Sequence, residues 1–281
     1  MSVEYSFGSA KRVRHRNRKT KTNVASSVTK TMSRDWDERA RKNALHYIAS
    51  WQNEWDLKSF LASGEEDIAR MVVPTLERCG LVLAGKRMLE LGCGVGRMTH
   101  SFARRFEQVY AFDISREMLS RARQIHSGET NILWLLSSGA NLACVASDSM
   151  DFVFSYLVLQ HLPEQALALQ YIREMVRVLR PGCAFLFQFN GGFSPTMNWR
   201  GRLAWGIVDA LWSANLGPLS RAAASAMSLD PAVVGKSWRG ASIASSAIVE
   251  CVRASDIDVV EITGANTPMA WCCGIKHLIG D

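Results

Sequence analysis

No apolar run in this chain approaches the roughly 18 residues that a membrane-crossing helix needs, so a spanning segment is excluded. Paired metal-binding cysteines are missing too. The seven cysteines are Cys79, Cys93, Cys144, Cys183, Cys251, Cys272 and Cys273, and none forms a Cys-x-x-Cys pair. Cys272 and Cys273 adjoin inside an apolar run that reads as strand packing. Neither a zinc site nor a disulfide framework follows, and a reducing cytoplasm is the expected compartment. Acidic residues are scarce in the first 31 positions, where Glu4 stands alone against eight Lys/Arg from Lys11 to Lys30. That imbalance is the whole net charge of +7, so residues 32–281 are neutral in sum. No apolar stretch follows the N-terminal charges, so no secretory signal is visible. An acid-poor, Ser/Thr/Arg-rich start is also the composition of a transit peptide, but spaced large apolar residues are lacking.

Residues 1–33 are therefore expected to be a basic, disordered tail. Its functional alternative is an arm for an anionic partner, nucleic acid or an acidic membrane. From Asp35 the pattern turns helical, with Trp36, Ala40, Ala44, Tyr47 and Ile48 at spacings of three and four. A second helix is predicted from about Glu65 to Cys79, presenting Ile68, Met71, Val72 and Leu76, with Ser63-Gly64 as the break before it. The two helices make residues 34–84 one unit.

What the chain does have is concentrated between Arg87 and Asp113. A short apolar run, Met88 to Leu91, is interrupted only by Glu90. Gly92, Gly94 and Gly96 follow, and then a helical pattern from Met98 to Phe106. Strand, glycine turn and helix form the first βα unit of a nucleotide-type fold, where a ligand must approach bare backbone. A second apolar run ends in Asp113, placed about 20 residues on to accept hydrogen bonds from ribose hydroxyls. Glu90 sets this unit apart from a dinucleotide site: a carboxylate repels a pyrophosphate and welcomes a cation.

The pattern Glu-x-Gly-x-Gly-x-Gly resembles the class I S-adenosylmethionine-dependent methyltransferases, in particular the small-molecule type 11/12 members of a bacterial subgroup. Phe112 to Leu119, Asp151 to Leu162 and Val176 to Gly182 are similar to three later motifs of that family, so the resemblance runs from about Leu89 to Asn190. It implies an α/β fold: a Rossmann-like, seven-stranded, mostly parallel sheet. Strands are expected at 87–91, 108–112, 131–136, 151–156 and 183–189, and an antiparallel pair at 257–263 and 268–276 closes the sheet. The domain then covers residues 85–281, and the helices before it act as a lid, with Trp36, Asp37, Arg39, Tyr47, Phe60 and Ser63-Gly64 resembling lid motifs.

The resemblance also implies S-adenosyl-L-methionine as cofactor. Gly92, Cys93, Gly94, Gly96 and Arg97 form the loop against its amino-acid part and ribose. Glu90 faces the ammonium, and Asp113, with Ile114 and Met118 beyond it, holds the ribose. Ser138-Gly139 stands where the family usually shows Asp or Asn for the adenine, and Tyr156 follows the fourth strand. His161 is the candidate general base, since an oxygen nucleophile gains from a base of near-neutral pKa; its alternative is a histidine that only holds the loop. Asp151 reads as architectural. Gln160, Asn190, Asn266 and Trp271, together with Tyr156, are candidates for the acceptor side.

Residues 191–240 read as an insertion after the fifth strand, holding Trp199, Trp205, Trp212 and Trp238 of the nine tryptophans. A substrate cap over an apolar or ring-bearing small-molecule acceptor is expected there; a homodimer interface or membrane docking is the rival. A nucleic-acid methyltransferase using the tail, and a non-catalytic cofactor-binding module at a membrane, are the alternative functions. Against the former stand the neutral core and the lack of an Asn-Pro-Pro-Tyr-type motif after the fourth strand.

Overall fold

The computed structural model describes residues 17–192, 199–214, 216–229, 234, 238, 240–254 and 257–277. Its centre is a seven-stranded sheet in the order β3-β2-β1-β4-β5-β7-β6. The strands are β1 Gly85–Leu91, β2 Phe106–Asp113, β3 Ile132–Leu136, β4 Met150–Ser155, β5 Leu179–Phe189, β6 Ile257–Thr263 and β7 Ala270–Lys276. The first five pair in parallel; β7 runs antiparallel to both β5 and β6, the expected closing pair.

Near-continuous apolar strands suit a sheet covered on both faces. In β4, Phe152 and Phe154 enter one buried cluster and Val153 the other; in β5, Phe185, Phe187 and Phe189 oppose Ala184 and Leu186 in the same way. One face is covered by α6 Gln165–Val178 and α9 Ser245–Arg253. The other lies under α4 Thr99–Ala103 and the stretch from Ile68 to Leu76. Helix α5 Arg116–Ile125 starts at Ser115, whose hydroxyl accepts from the Met118 amide at 3.1 Å, an N-cap. Asp151 is architectural as expected: it pairs with Arg180 and accepts from the Lys86 and Arg87 amides at 2.8 and 2.7 Å, fixing the start of β1.

The N-terminal helices depart from expectation in two places. Helix α1 runs Asn17–Ile48, so the boundary drawn at residue 33 falls inside it, while residues 1–16 of the expected tail lie outside the described residues. The cause is in the side chains: Val28 and Met32, one turn apart, pack on the main core, and the Ser33 hydroxyl donates to the Ile114 carbonyl at 3.0 Å. The density of nearby charges hid that short apolar stripe. The helix kinks at Asn43 (φ −166°, ψ 89°), whose side chain accepts from the His46 amide at 3.1 Å and caps the last turn.

Ser63-Gly64 is not a break. It lies within α2 Leu57–Asp67, which continues through a π-helical turn, Ile68–Val72, into α3 Val73–Arg78. Glycine is required at 64 because a Cβ there would stand 2.1 Å from the Arg97 carbonyl oxygen. The residue brings helix and glycine loop into contact rather than ending the helix. Among the described residues of the insertion are two helices, α7 Trp199–Ser213 and α8 Gly217–Ala226, with a small core at Val208, Ala224 and Val234.

Candidate functional site

Strand order reverses between β1 and β4, and in such sheets ligands lie outside the carboxyl ends of the strands at that point. A cavity of about 730 Å³ occupies that crevice, lined by the ends of β1, β2, β4 and β5 and roofed by Met32, Trp36, Tyr47 and Ile48 of α1.

One end is acidic and rich in bare backbone. Gly92 (φ +79°) and Gly94 (φ +57°) adopt the left-handed region that favours glycine. A Cβ on Gly92 would meet Val158 at 2.0 Å, and one on Gly94 would meet Ile48 of the lid at 2.6 Å. Glu90 is buried, accepts from the Thr99 hydroxyl at 2.6 Å and lines the cavity; burial pushes its carboxyl up to about 7, against the pull of Thr99 and Arg97. Asp113 accepts from the Gly94 and Ser115 amides at 2.9 and 2.8 Å, and burial raises it to about 6. Two carboxyls held above their ordinary range in one cavity are short of positive charge, and a cationic ligand relieves both.

Cys93, Ile114, Met118, Gly139 and Tyr156 line the cavity as expected. Arg97 lines it as well, but its guanidinium is committed to the lid: it pairs with buried Asp67 at 2.8 Å, donates to the Ser63 hydroxyl at 3.2 Å and lies over the Trp51 ring at 5.2 Å. Two expected residues face elsewhere. Gly96 packs away from the cavity, where a Cβ would meet His126 at 2.5 Å and Trp134 at 2.7 Å. Ser138 is exposed and its hydroxyl serves its own turn, reaching Asn141 and the Ala140 amide. Its neighbour Ser137 is the one that lines the cavity, hydrogen-bonded to the Tyr171 hydroxyl at 2.8 Å.

The other end is aromatic. Trp36 and Tyr47 of α1 meet Trp238 from the end of the insertion at ring distances of 6.0 and 5.9 Å. His161 packs into the same wall, 5.2 Å from Trp36 and 5.0 Å from Trp238. Its Nδ1 bonds the Trp238 carbonyl, and burial lowers its pKa to about 4. The returning arm of the insertion is stitched down: the Ala241 amide donates to Leu162 and the Ile243 amide to Asn190, both at 2.8 Å, and a Cβ on Gly240 would stand 2.2 Å from the Gln160 carbonyl. Gln160 and Asn190 line the cavity; Trp271 instead backs Tyr156 at 5.0 Å, and Asn266 is exposed. Among the described residues, the charged side chains lining the cavity are Glu90, Arg97 and Asp113, all at the glycine end.

Of the insertion's tryptophans, Trp205 and Trp212 pack within the α7–α8 pair and do not reach the cavity, and the Trp199 side chain lies outside the described residues. Sequence reasoning missed Ser137, Tyr171 and Met32 as lining residues, and it missed Gln188, a fully buried polar group in β5. Gln188 alone was detectable, as the one polar residue in an otherwise apolar strand run.

A family profile for the methyltransferase domain matches residues 89–187. The biotin biosynthesis bifunctional protein BioHC of Cellvibrio japonicus is 40% identical over 96 residues, covering 34% of this chain and 18% of that protein. The ubiquinone biosynthesis O-methyltransferase of Xanthomonas oryzae pv. oryzae is 36% identical over 104 residues, covering 36% of this chain and 42% of that protein. The chain thus spans less than half the length of these curated relatives. In fold it is similar to the phosphoethanolamine N-methyltransferase 1 of Haemonchus contortus (TM-score 0.56, 16% identity, 92% of this chain and 50% of that one). It is likewise similar to the magnesium protoporphyrin IX methyltransferase of Synechocystis PCC 6803 with its bound S-adenosylmethionine (0.55, 14%, 89% and 97%). The methyltransferase-domain profile thus matches the segment that runs from β1 into β5 and holds the glycine loop between its two carboxylates, within a sheet whose fold is that of these methyltransferases.

Proposed function

We propose that this chain is a methyltransferase using S-adenosyl-L-methionine and acting on a small, apolar or ring-bearing acceptor. The observation that carries this reading is the division of one cavity into an acidic glycine end and an uncharged aromatic end. The acidic end fits the cofactor's chemistry. Glu90 suits a ligand ammonium, Asp113 a ribose diol, Gly92, Cys93 and Gly94 a backbone approach, and Ser137, Gly139 and Tyr171 the adenine side. The cofactor, when bound, supplies a methyl group activated by attachment to a sulfonium. The protein's own task is then orientation and exclusion of water.

Trp36, Tyr47 and Trp238 favour a flat, apolar acceptor over an anionic one. His161 is the candidate base: with Nδ1 donating to a carbonyl, its Nε2 carries the lone pair, and the ring stays neutral above about pH 4. The test is turnover of a panel of phenols, sugars and lipids with S-adenosylmethionine. A ring compound methylated by the wild type and lost in Trp238→Ala, with S-adenosylhomocysteine binding retained, is the expected result. Methylation of RNA but of no small molecule overturns this reading.

A further inference from the structure

Gln188 sits at the carboxyl end of β5, fully buried between Phe187 and Phe189, and both its amide oxygen and its amide nitrogen are hydrogen-bonded. Its Oε1 accepts from the Leu157 amide at 3.2 Å; the two protons on its Nε2 are shared among three acceptors, the Pro268 carbonyl at 2.8 Å, the Phe189 carbonyl at 2.9 Å and the Gln160 Oε1 at 3.1 Å. Leu157, held this way, is one of four non-glycine residues at positive φ (57°) among the described residues, at the turn from β4 into the cavity wall. Because Leu157 offers an N–H and Pro268 a C=O, the orientation of the Gln188 amide is determined.

That orientation propagates. With its oxygen taken by Gln188, Gln160 can present only its NH₂ to His161, whose Nε2 lies 3.3 Å away. From the other end, the Trp238 carbonyl requires a proton on His161 Nδ1, which leaves a lone pair on Nε2. Backbone groups at both ends thus fix one donor, Gln160 Nε2–H, beside one acceptor, His161 Nε2, both on the cavity wall.

A hydroxyl group is the complement of such a pair, since it donates through its proton and accepts through its oxygen. An oxygen about 2.8 Å from each nitrogen closes a triangle on their 3.3 Å edge, within ordinary hydrogen-bond lengths. That oxygen replaces the 3.3 Å contact, which is longer than an ordinary hydrogen bond, by accepting from Gln160 and donating to the Nε2 lone pair of His161. From this geometry, and resting on the methyltransferase reading above, we infer that Gln160 and His161 form a hydroxyl-recognition site, that Gln188 is its positioning residue, and that the acceptor is methylated on the oxygen of a ring hydroxyl.

An ether has lost the donor and an ammonium has no acceptor, so both leave one partner of the pair unsatisfied. When the bound oxygen takes the methyl group, the carbon–sulfur electron pair stays on sulfur, and the proton that the oxygen sheds goes to His161 Nε2 and then to solvent. A protonated ether is a far stronger acid than imidazolium, so a weakly basic nitrogen suffices. The groups facing His161 agree with this: Trp36 and Trp238 are neutral, and Arg39, lying over both rings, further disfavours a charged imidazole.

The test is binding, by calorimetry, of 2-naphthol and 2-methoxynaphthalene to protein saturated with S-adenosylhomocysteine. The naphthol should bind about tenfold more tightly, the scale of one or two hydrogen bonds. That preference should vanish in Gln160→Leu, which removes the donor, and in Gln188→Leu, which frees the Gln160 amide to turn. Nitrogen NMR of His161 should show the proton on Nδ1 in the wild type and, because the Trp238 carbonyl holds it there, in Gln188→Leu as well, so that the variant loses the preference without losing the tautomer. Equal or no binding of the two probes, or a preference that survives Gln160→Leu, overturns the inference. Failure of S-adenosylhomocysteine itself to bind instead overturns the cofactor reading on which it rests.

Discussion

Glu90 and Asp113 carry the most specific chemistry of the site, and their titration is measurable. The Glu90 carboxyl, ordinarily near 4.5, sits at about 7 through burial. Between those values the folded protein holds a proton that the unfolded chain has released, so the stability of the ligand-free protein falls as pH rises through that window. An arriving ammonium ionises the group. Affinity for S-adenosylhomocysteine should therefore rise with pH up to about 7, and binding near that pH should release a proton, while Asp113, at about 6, contributes at the lower end. The binding enthalpy should accordingly depend on the buffer's ionisation enthalpy, and Glu90→Gln should remove most of that dependence. Equal enthalpies in phosphate and Tris would mean that Glu90 does not meet a cation.

The contact of α2 with the glycine loop makes a prediction about an element. Gly64→Ala drives a Cβ into the Arg97 carbonyl, and helix and loop must part. Overpacking of this kind costs about 1–3 kcal/mol, read as a lower denaturant midpoint, and it should weaken cofactor binding by displacing Arg97 and the loop. An unchanged midpoint would show that the lid does not pack as described. At this scale the sequence is legible wherever periodicity and burial agree: the five parallel strands and the order of motifs follow from apolar runs and glycine turns, while the closing antiparallel pair is what the family resemblance implies. It was not legible where a tertiary contact overrides a local signal. Ser63-Gly64 looks like a break because the carbonyl that demands glycine is 33 residues away. Ser138 rather than Ser137 looked like the site residue because the loop's direction after β3 is set by the Ser137–Tyr171 bond, which no spacing reveals.

For the whole molecule, the two halves of the basic N-terminal region separate in role. Residues 1–16 carry Lys11, Arg12, Arg14 and Arg16; their deletion should leave cofactor affinity unchanged and should weaken any affinity for RNA or acidic vesicles that falls steeply with salt. Deletion through residue 33 should instead weaken cofactor binding. It removes Met32 from the cavity roof, the Ser33–Ile114 bond, and Thr29, which lies 2.9 Å from where a Cβ on Gly139 would stand. The insertion divides likewise. Trp238→Ala should reduce acceptor turnover with little change in melting temperature. Trp205→Ala, inside the α7–α8 pair, should destabilise that pair, by about 0.5–3 kcal/mol on the usual scale of single substitutions, and leave turnover largely intact.

The claim beneath all of these is that the crevice between β1 and β4 takes a nucleoside with a positively charged amino-acid arm. A calorimetric titration with S-adenosylhomocysteine and, separately, with NAD tests it most directly. The account predicts micromolar-range binding of S-adenosylhomocysteine, no measurable binding of NAD, and a loss of about 1.5–3 kcal/mol in Asp113→Ala, the scale of a hydrogen bond to a charged group. Binding of NAD, or an Asp113→Ala protein that binds S-adenosylhomocysteine as tightly as the wild type, would contradict it.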